Sequence, residues 1–128
     1  MTTAEAERSL TGLRVFLAED EFPVLQLIED MIEELGCRIA DSVTNISAAL
    51  EAAETTDADI AILDVNLRGQ NAFPVAAILK RRGIPILVST GYGPAGLDSE
   101  WKDFDVIQKP FPLDIFRSAI ERTMRERR

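Results

Sequence analysis

The chain has 128 residues with a formal net charge of −8, one cysteine and no histidine. That length fits one domain able to bury roughly two thirds of its extended surface. Without histidine, Cys/His zinc sites, histidine-based triads and a phosphohistidine relay within the chain are excluded, and the lone Cys37 has no intrachain disulfide partner. The acidic balance disfavours nucleic acid, whose phosphates require clustered Lys and Arg. The basic residues Arg117, Arg122, Arg125, Arg127 and Arg128 are interrupted by Glu121 and Glu126, and suit the carboxyl end of a helix.

Met1 to Ser9 carries Glu5 and Glu7 and has no apolar h-region, so it reads as a tail rather than a signal peptide. No apolar run approaches the roughly 20 residues that span a bilayer. Neither membrane nor nucleic acid is therefore expected as a partner, and a reducing cytoplasm is the expected setting.

Leu13 to Ala18 is a short apolar run that stops at Glu19, Asp20 and Glu21, as a buried strand does at its end. Pro23 suits a first helical turn; Val24, Leu25, Ile28, Ile32 and Leu35 then recur at helical spacing until Gly36 stops the helix. Cys37 to Ala40 begins a weaker second strand. A second helix starts near Ile46, capped by Thr44 or Asn45, with Ile46, Ala49, Leu50 and Ala53 on one face.

Ile60 to Leu63 has the length and branching of a strand buried on both faces, and it ends at Asp64. Gln70 or Asn71 is placed to cap a third helix with Pro74 in its first turn and Gly83 beyond its end. Ile84 to Val88 reads as the fourth strand, leading into Ser89, Thr90 and Gly91. Phe104 to Ile107 reads as the fifth, leading into Gln108, Lys109 and Pro110. Leu113, Phe116, Ile120 and Met124 mark one face of a last helix. Between Gly91 and Leu97, three glycines and one proline oppose a regular fourth helix, leaving at most a short one around Ser99 to Asp103.

This alternation predicts an α/β fold, a doubly wound five-stranded parallel sheet of flavodoxin-like order 2-1-3-4-5 with a short or irregular fourth helix. In that order the first and third strands are neighbours, so Glu19 and Asp20 meet Asp64 in one crevice. Like charges about 4 Å apart cost on the order of 4 kcal/mol per pair at an effective dielectric near 20. A hard cation such as Mg²⁺ with oxygen ligands offsets this directly, and Lys109 offers a second positive group.

Taken together, the pair Glu19-Asp20, Asp64 with Asn66 two residues on and Gly69 beyond, Thr90, and Lys109-Pro110 resemble the receiver domains of bacterial two-component response regulators. The resemblance runs from about Leu13 to Met124. It implies that Asp64 accepts a phosphoryl group from a histidine kinase. It also implies Mg²⁺ held by Asp20, Asp64 and the backbone carbonyl of Asn66, with Glu19 acting chiefly through water. Lys109 and Thr90 would contact phosphoryl oxygens, and the Lys109-Pro110 peptide would be cis. On this reading residues 1–11 form a tail and residues 12–128 a single receiver domain that signals to a downstream protein or a phosphotransfer protein.

Two departures qualify the pattern. Val106 stands where many receivers carry a switch Tyr or Phe. Thr90-Gly91-Tyr92-Gly93 instead is similar to a stand-alone subgroup named for a Phe-Ala-Thr-Gly-Gly/Tyr motif, with Val88 and Ser89 in place of Phe and Ala, and Tyr92 as the candidate switch aromatic. A mobile loop from Gly91 to about Trp101, ordered by Mg²⁺ and phosphorylation, is expected in place of a helix shift. The competing readings are a Mg²⁺-dependent phosphatase of the haloacid-dehalogenase type, which needs an acid where Asn66 stands, and a phosphorylation-independent adaptor.

Overall fold

A computed structural model of the chain describes residues 10–91 and 97–126. Its elements in chain order are β1 (Arg14–Ala18), α1 (Phe22–Glu34), β2 (Arg38–Val43), α2 (Ile46–Thr55), β3 (Ile60–Asp64), β4 (Asn66–Leu67), β5 (Gln70–Asn71), α3 (Phe73–Arg81), β6 (Ile86–Thr90), β7 (Asp105–Gln108) and α4 (Leu113–Arg125), with a 3₁₀ turn at Ser99–Trp101 before β7. The five long strands are parallel in the order β2-β1-β3-β6-β7, which in chain order is 2-1-3-4-5 as expected, and β4 and β5 pair separately as a small antiparallel ribbon.

Alternation along the strands sends side chains to two cores. Val15, Leu17, Ile60 and Ile62 pack against α1 and α4 through Leu25, Ile28, Ile32, Phe116 and Ile120. Phe16, Ala18, Ala61 and Leu63 face α2 and α3, whose Ala49, Ala53 and Ala76 let these helices approach closely. Every residue of β3 is buried, as its apolar run requires when helices cover both faces.

Register delivers the polar residues to one edge. Ala18 pairs with Leu63, so Glu19 and Asp64 emerge side by side. Asp64 in turn pairs with Ser89, and Thr90 with Gln108, which places Thr90 and Lys109 at the adjoining strand ends.

Several boundaries differ from the sequence reading. Leu10, two residues before the expected domain start, is 2 % exposed, and its carbonyl accepts from Leu13 N–H at 3.0 Å. β2 runs on through Asp41 and Ser42, because an edge strand admits polar residues that an apolar run does not advertise. β6 begins at Ile86, two residues late, although the Pro85 carbonyl already accepts from Ala61 N–H. Asn45 caps α2, its Oδ1 accepting from Ala48 N–H at 2.8 Å. Asn71 acts at the start of α3 from one residue outside the cap position, accepting from Phe73 N–H.

Among the described residues between β6 and β7, the helical element is the short Ser99–Trp101 turn. Tyr92, with Gly93 to Gly96, lies outside the described residues. Trp101, at the far end of the loop expected to be mobile, is 2 % exposed, with its ring 5.5 Å from that of Phe73 and 5.7 Å from that of Phe104.

Candidate functional site

At the carboxyl edge of the sheet, Asp20, Asp64, Asn66, Thr90 and Lys109 line a cleft of about 680 Å³. Lys109 is its electrostatic centre. Its Nζ donates at 2.9 Å to Glu19 Oε1 and at 2.9 Å to Asp64 Oδ2, joining the ends of β1, β3 and β7. The Lys109 amide donates to the Thr90 carbonyl at 2.8 Å, and the Lys109-Pro110 peptide is cis.

The carboxylates differ in surroundings. Glu19 is fully buried, Asp64 is 6 % exposed, and Asp20 is partly exposed. Burial pushes the Glu19 carboxyl above its ordinary value and the Asp64 charge adds to this, while Lys109 and the Glu21 amide oppose it. Burial pulls Lys109 down, but hydrogen bonds to Asp64 and Glu19 and their charges outweigh it, so the ammonium is held above its ordinary value.

Backbone amides complete the arrangement. Asp64 Oδ1 accepts from Asn66 N–H at 3.2 Å, and Glu19 Oε2 accepts from Glu21 N–H at 3.1 Å. Asp20 Oδ2 accepts from Arg68 N–H at 2.9 Å, and Asn66 Oδ1 accepts from Gly69 N–H at 2.8 Å. Sequence reasoning missed the Arg68 contact, since an amide donor has no residue-type signature. Thr90 is fully buried at the end of β6.

Asp20 and Asp64 share one cleft, and Glu19 meets Asp64 through Lys109. Among the described residues, the carboxylate oxygens that converge within 4.8 Å belong to Glu19, Asp20 and Glu21. Asp64 is tied to Glu19 through Lys109, whose ammonium lies between them. Carboxylates and backbone carbonyls are hard oxygen donors, and the excess of negative charge around Asp20 fits a hard divalent ion such as Mg²⁺ rather than a soft one.

A strand-end Asp and Lys in such a cleft, on a 2-1-3-4-5 sheet, define a receiver-type domain. The chain matches the response regulator receiver domain family over residues 15–121, and it belongs to that family. It is 34 % identical over 112 residues to the transcriptional regulatory protein TcrA of Mycobacterium tuberculosis, a match spanning 82 % of this chain and 43 % of TcrA. It is 30 % identical to PdtaR of the same species, spanning 84 % of this chain and 55 % of PdtaR. The chain thus spans about half the length of the curated relatives it matches.

Among solved structures, SdrG from Sphingomonas melonis Fr1 is similar, with a TM-score of 0.78 and 36 % identity, covering 91 % of this chain and 98 % of that one. The receiver domain of the sensor histidine kinase PA1611 from Pseudomonas aeruginosa PAO1 shares the fold, with a TM-score of 0.77 and 21 % identity over 91 % of this chain and all of that one. That structure has a magnesium ion coordinated in its active-site cleft.

Proposed function

We propose that this receiver domain accepts a phosphoryl group on Asp64 from a histidine kinase and passes the signal on through protein contacts. The observation that carries the reading is the Lys109 bridge, which fixes a partly buried ammonium 2.9 Å from the Asp64 carboxylate at the mouth of an open cleft. In the transfer an Asp64 oxygen forms a bond to phosphorus as the phosphorus–nitrogen bond of a phosphohistidine breaks, and the electron pair leaves with the imidazole nitrogen. Such transfer requires an oriented nucleophile and neutralisation of the equatorial oxygens more than a proton relay. Lys109 supplies one positive charge and keeps its proton throughout.

Asp20, Asp64 and the Asn66 carbonyl would hold Mg²⁺, with Glu19 acting through water. When bound, Mg²⁺ supplies further charge neutralisation at the phosphoryl oxygens. Thr90, at the neighbouring strand end, would contact the new phosphoryl group and bias the surface that a downstream protein or a phosphotransfer protein reads, with Tyr92 as the associated aromatic. The domain would act in the cytoplasm. A phosphatase of the haloacid-dehalogenase type is disfavoured because Asn66, two residues beyond Asp64, is an amide whose oxygen is engaged by Gly69 N–H.

Incubation of the purified chain with radiolabelled candidate kinases tests the reading. The wild type is expected to gain a base-labile phosphate, and Asp64→Asn to gain none while still melting cooperatively. Wild-type labelling of Asp64→Asn would move the acceptor elsewhere, and an unlabelled wild type that still binds its partners would favour the adaptor.

A further inference from the structure

The β4–β5 ribbon turns through Arg68 and Gly69, whose φ angles are 52° and 82°. Two left-handed residues in succession make a tight hairpin turn of the primed type, where Asn-Gly is the favoured pair. Gly69 takes this conformation without cost. Arg68 does not, and among the described residues it is the only one other than glycine with a positive φ.

What the strained conformation accomplishes is visible in its hydrogen bond. It turns the Arg68 amide onto Asp20 Oδ2 at 2.9 Å, across 48 residues of chain. The same short ribbon also presents the Asn66 amide to Asp64 Oδ1 and the Gly69 amide to Asn66 Oδ1. One peptide segment therefore holds both Asp20 and Asp64, each by a single carboxylate oxygen. Asp20 lies on the loop after β1, and among the described residues the Arg68 amide is the hydrogen-bond donor to its carboxylate.

We propose that the Arg68-Gly69 turn is a positioning element for the cation site: the left-handed backbone at Arg68 fixes the Asp20 carboxylate relative to Asp64, so that a divalent ion meets two carboxylates already in place. This rests on the reading that Asp20 and Asp64 hold Mg²⁺. The Arg68 side chain is exposed, and the role belongs to its amide. Groups that orient a ligand carboxylate without touching the metal commonly change affinity by roughly 10- to 100-fold when lost.

The test perturbs the backbone and leaves the ligands alone. A Cβ built on Gly69 meets nothing within 4 Å, so a substitution there acts through φ and not through a clash. Gly69→Val, whose branched side chain resists a positive φ, is expected to weaken Mg²⁺ binding by roughly tenfold in calorimetric titration. Gly69→Asn, which tolerates the left-handed region, is expected to restore affinity to within about threefold of the wild type. Gly69→Ala serves if the valine variant does not melt cooperatively, with the same sign expected.

In ¹⁵N–¹H spectra the Arg68 amide proton should lie downfield in the wild type and in Gly69→Asn, and move upfield in Gly69→Val and in Asp20→Asn. Wild-type Mg²⁺ affinity in a folded Gly69→Val or Gly69→Ala protein whose Arg68 amide has moved would overturn the positioning role. Unchanged Mg²⁺ affinity in Asp20→Asn would instead overturn the underlying assignment of Asp20 as a ligand.

Discussion

Lys109→Met removes the ammonium while keeping most of the length of its stem, and the structure sets the size of the effect. Lys109 Nζ stands 2.9 Å from both Glu19 Oε1 and Asp64 Oδ2, with the three side chains 15 %, 0 % and 9 % exposed, so the ammonium interacts with both carboxylates in largely desolvated surroundings. Two buried carboxylates are then left without a cation. The least costly response is for Glu19 to bind a proton, because burial already raises its pKa and the hydrogen bond from Lys109 is the first influence opposing that rise.

Neutralising a carboxyl whose ordinary pKa is 4.5 costs about 1.4 kcal/mol per pH unit, or about 3.5 kcal/mol at pH 7. Truncating one partner of a buried ion pair costs about 3–5 kcal/mol, so two independent routes agree. A group whose folded pKa is raised contributes stability at low pH and loses it as pH rises through the folded value. Without Lys109 the Glu19 pKa is raised further, so the penalty must grow with pH and shrink to about 1.4 kcal/mol at pH 5.5. Urea unfolding of both proteins in EDTA at pH 5.5 and pH 7 measures this. A difference below about 1 kcal/mol at both pH values would refute the view that Lys109 offsets the buried charges.

Two further predictions concern the scaffold. Asn45→Ala removes the oxygen that caps α2 at Ala48 N–H and should lower unfolding stability by about 1 kcal/mol, without changing the phosphate taken up by Asp64. Cys37 is buried, and burial pushes its thiol up to about 11, so a thiol reagent at pH 8 should find it inert in the folded protein and fully reactive in denaturant; rapid reaction under native conditions would contradict its place in the core.

The parts of the fold that were legible are those where one side chain reports its own surroundings. Ile60 to Leu63 is apolar at every position because β3 is covered on both faces, and Asp64 marks the point where that cover ends. The same logic placed the acids beyond β1 and Lys109 beyond β7, whereas β6 runs on past Val88 to include the Thr90 hydroxyl. It failed at Asp41 and Ser42, since the edge position of β2 relaxes the demand for apolar residues. It is silent on the surroundings of Trp101: ring contacts to that residue come from Phe73 and Phe104, and the link to Phe73 joins α3 to the 3₁₀ turn across a separation no local period encodes.

The ribbon after Asp64 shows why the remainder of the site stayed hidden. β4 and β5 contain two residues each, too few for alternation to appear, and Arg68 occupies a turn position where Asn would have announced the hairpin. What the ribbon contributes to Asp20 is a backbone amide, a group every residue except proline possesses. Asn71 adds a second such link, its side-chain amide donating to Glu100 Oε2 at 3.1 Å and so tying the ribbon to the turn that carries Trp101. Side-chain chemistry therefore identifies where Asp64, Lys109 and their neighbours gather, whereas their orientation depends on main-chain geometry. The strained φ of Arg68 is where that geometry becomes visible, because a residue with every steric reason to avoid the left-handed region adopts it while its amide reaches Asp20.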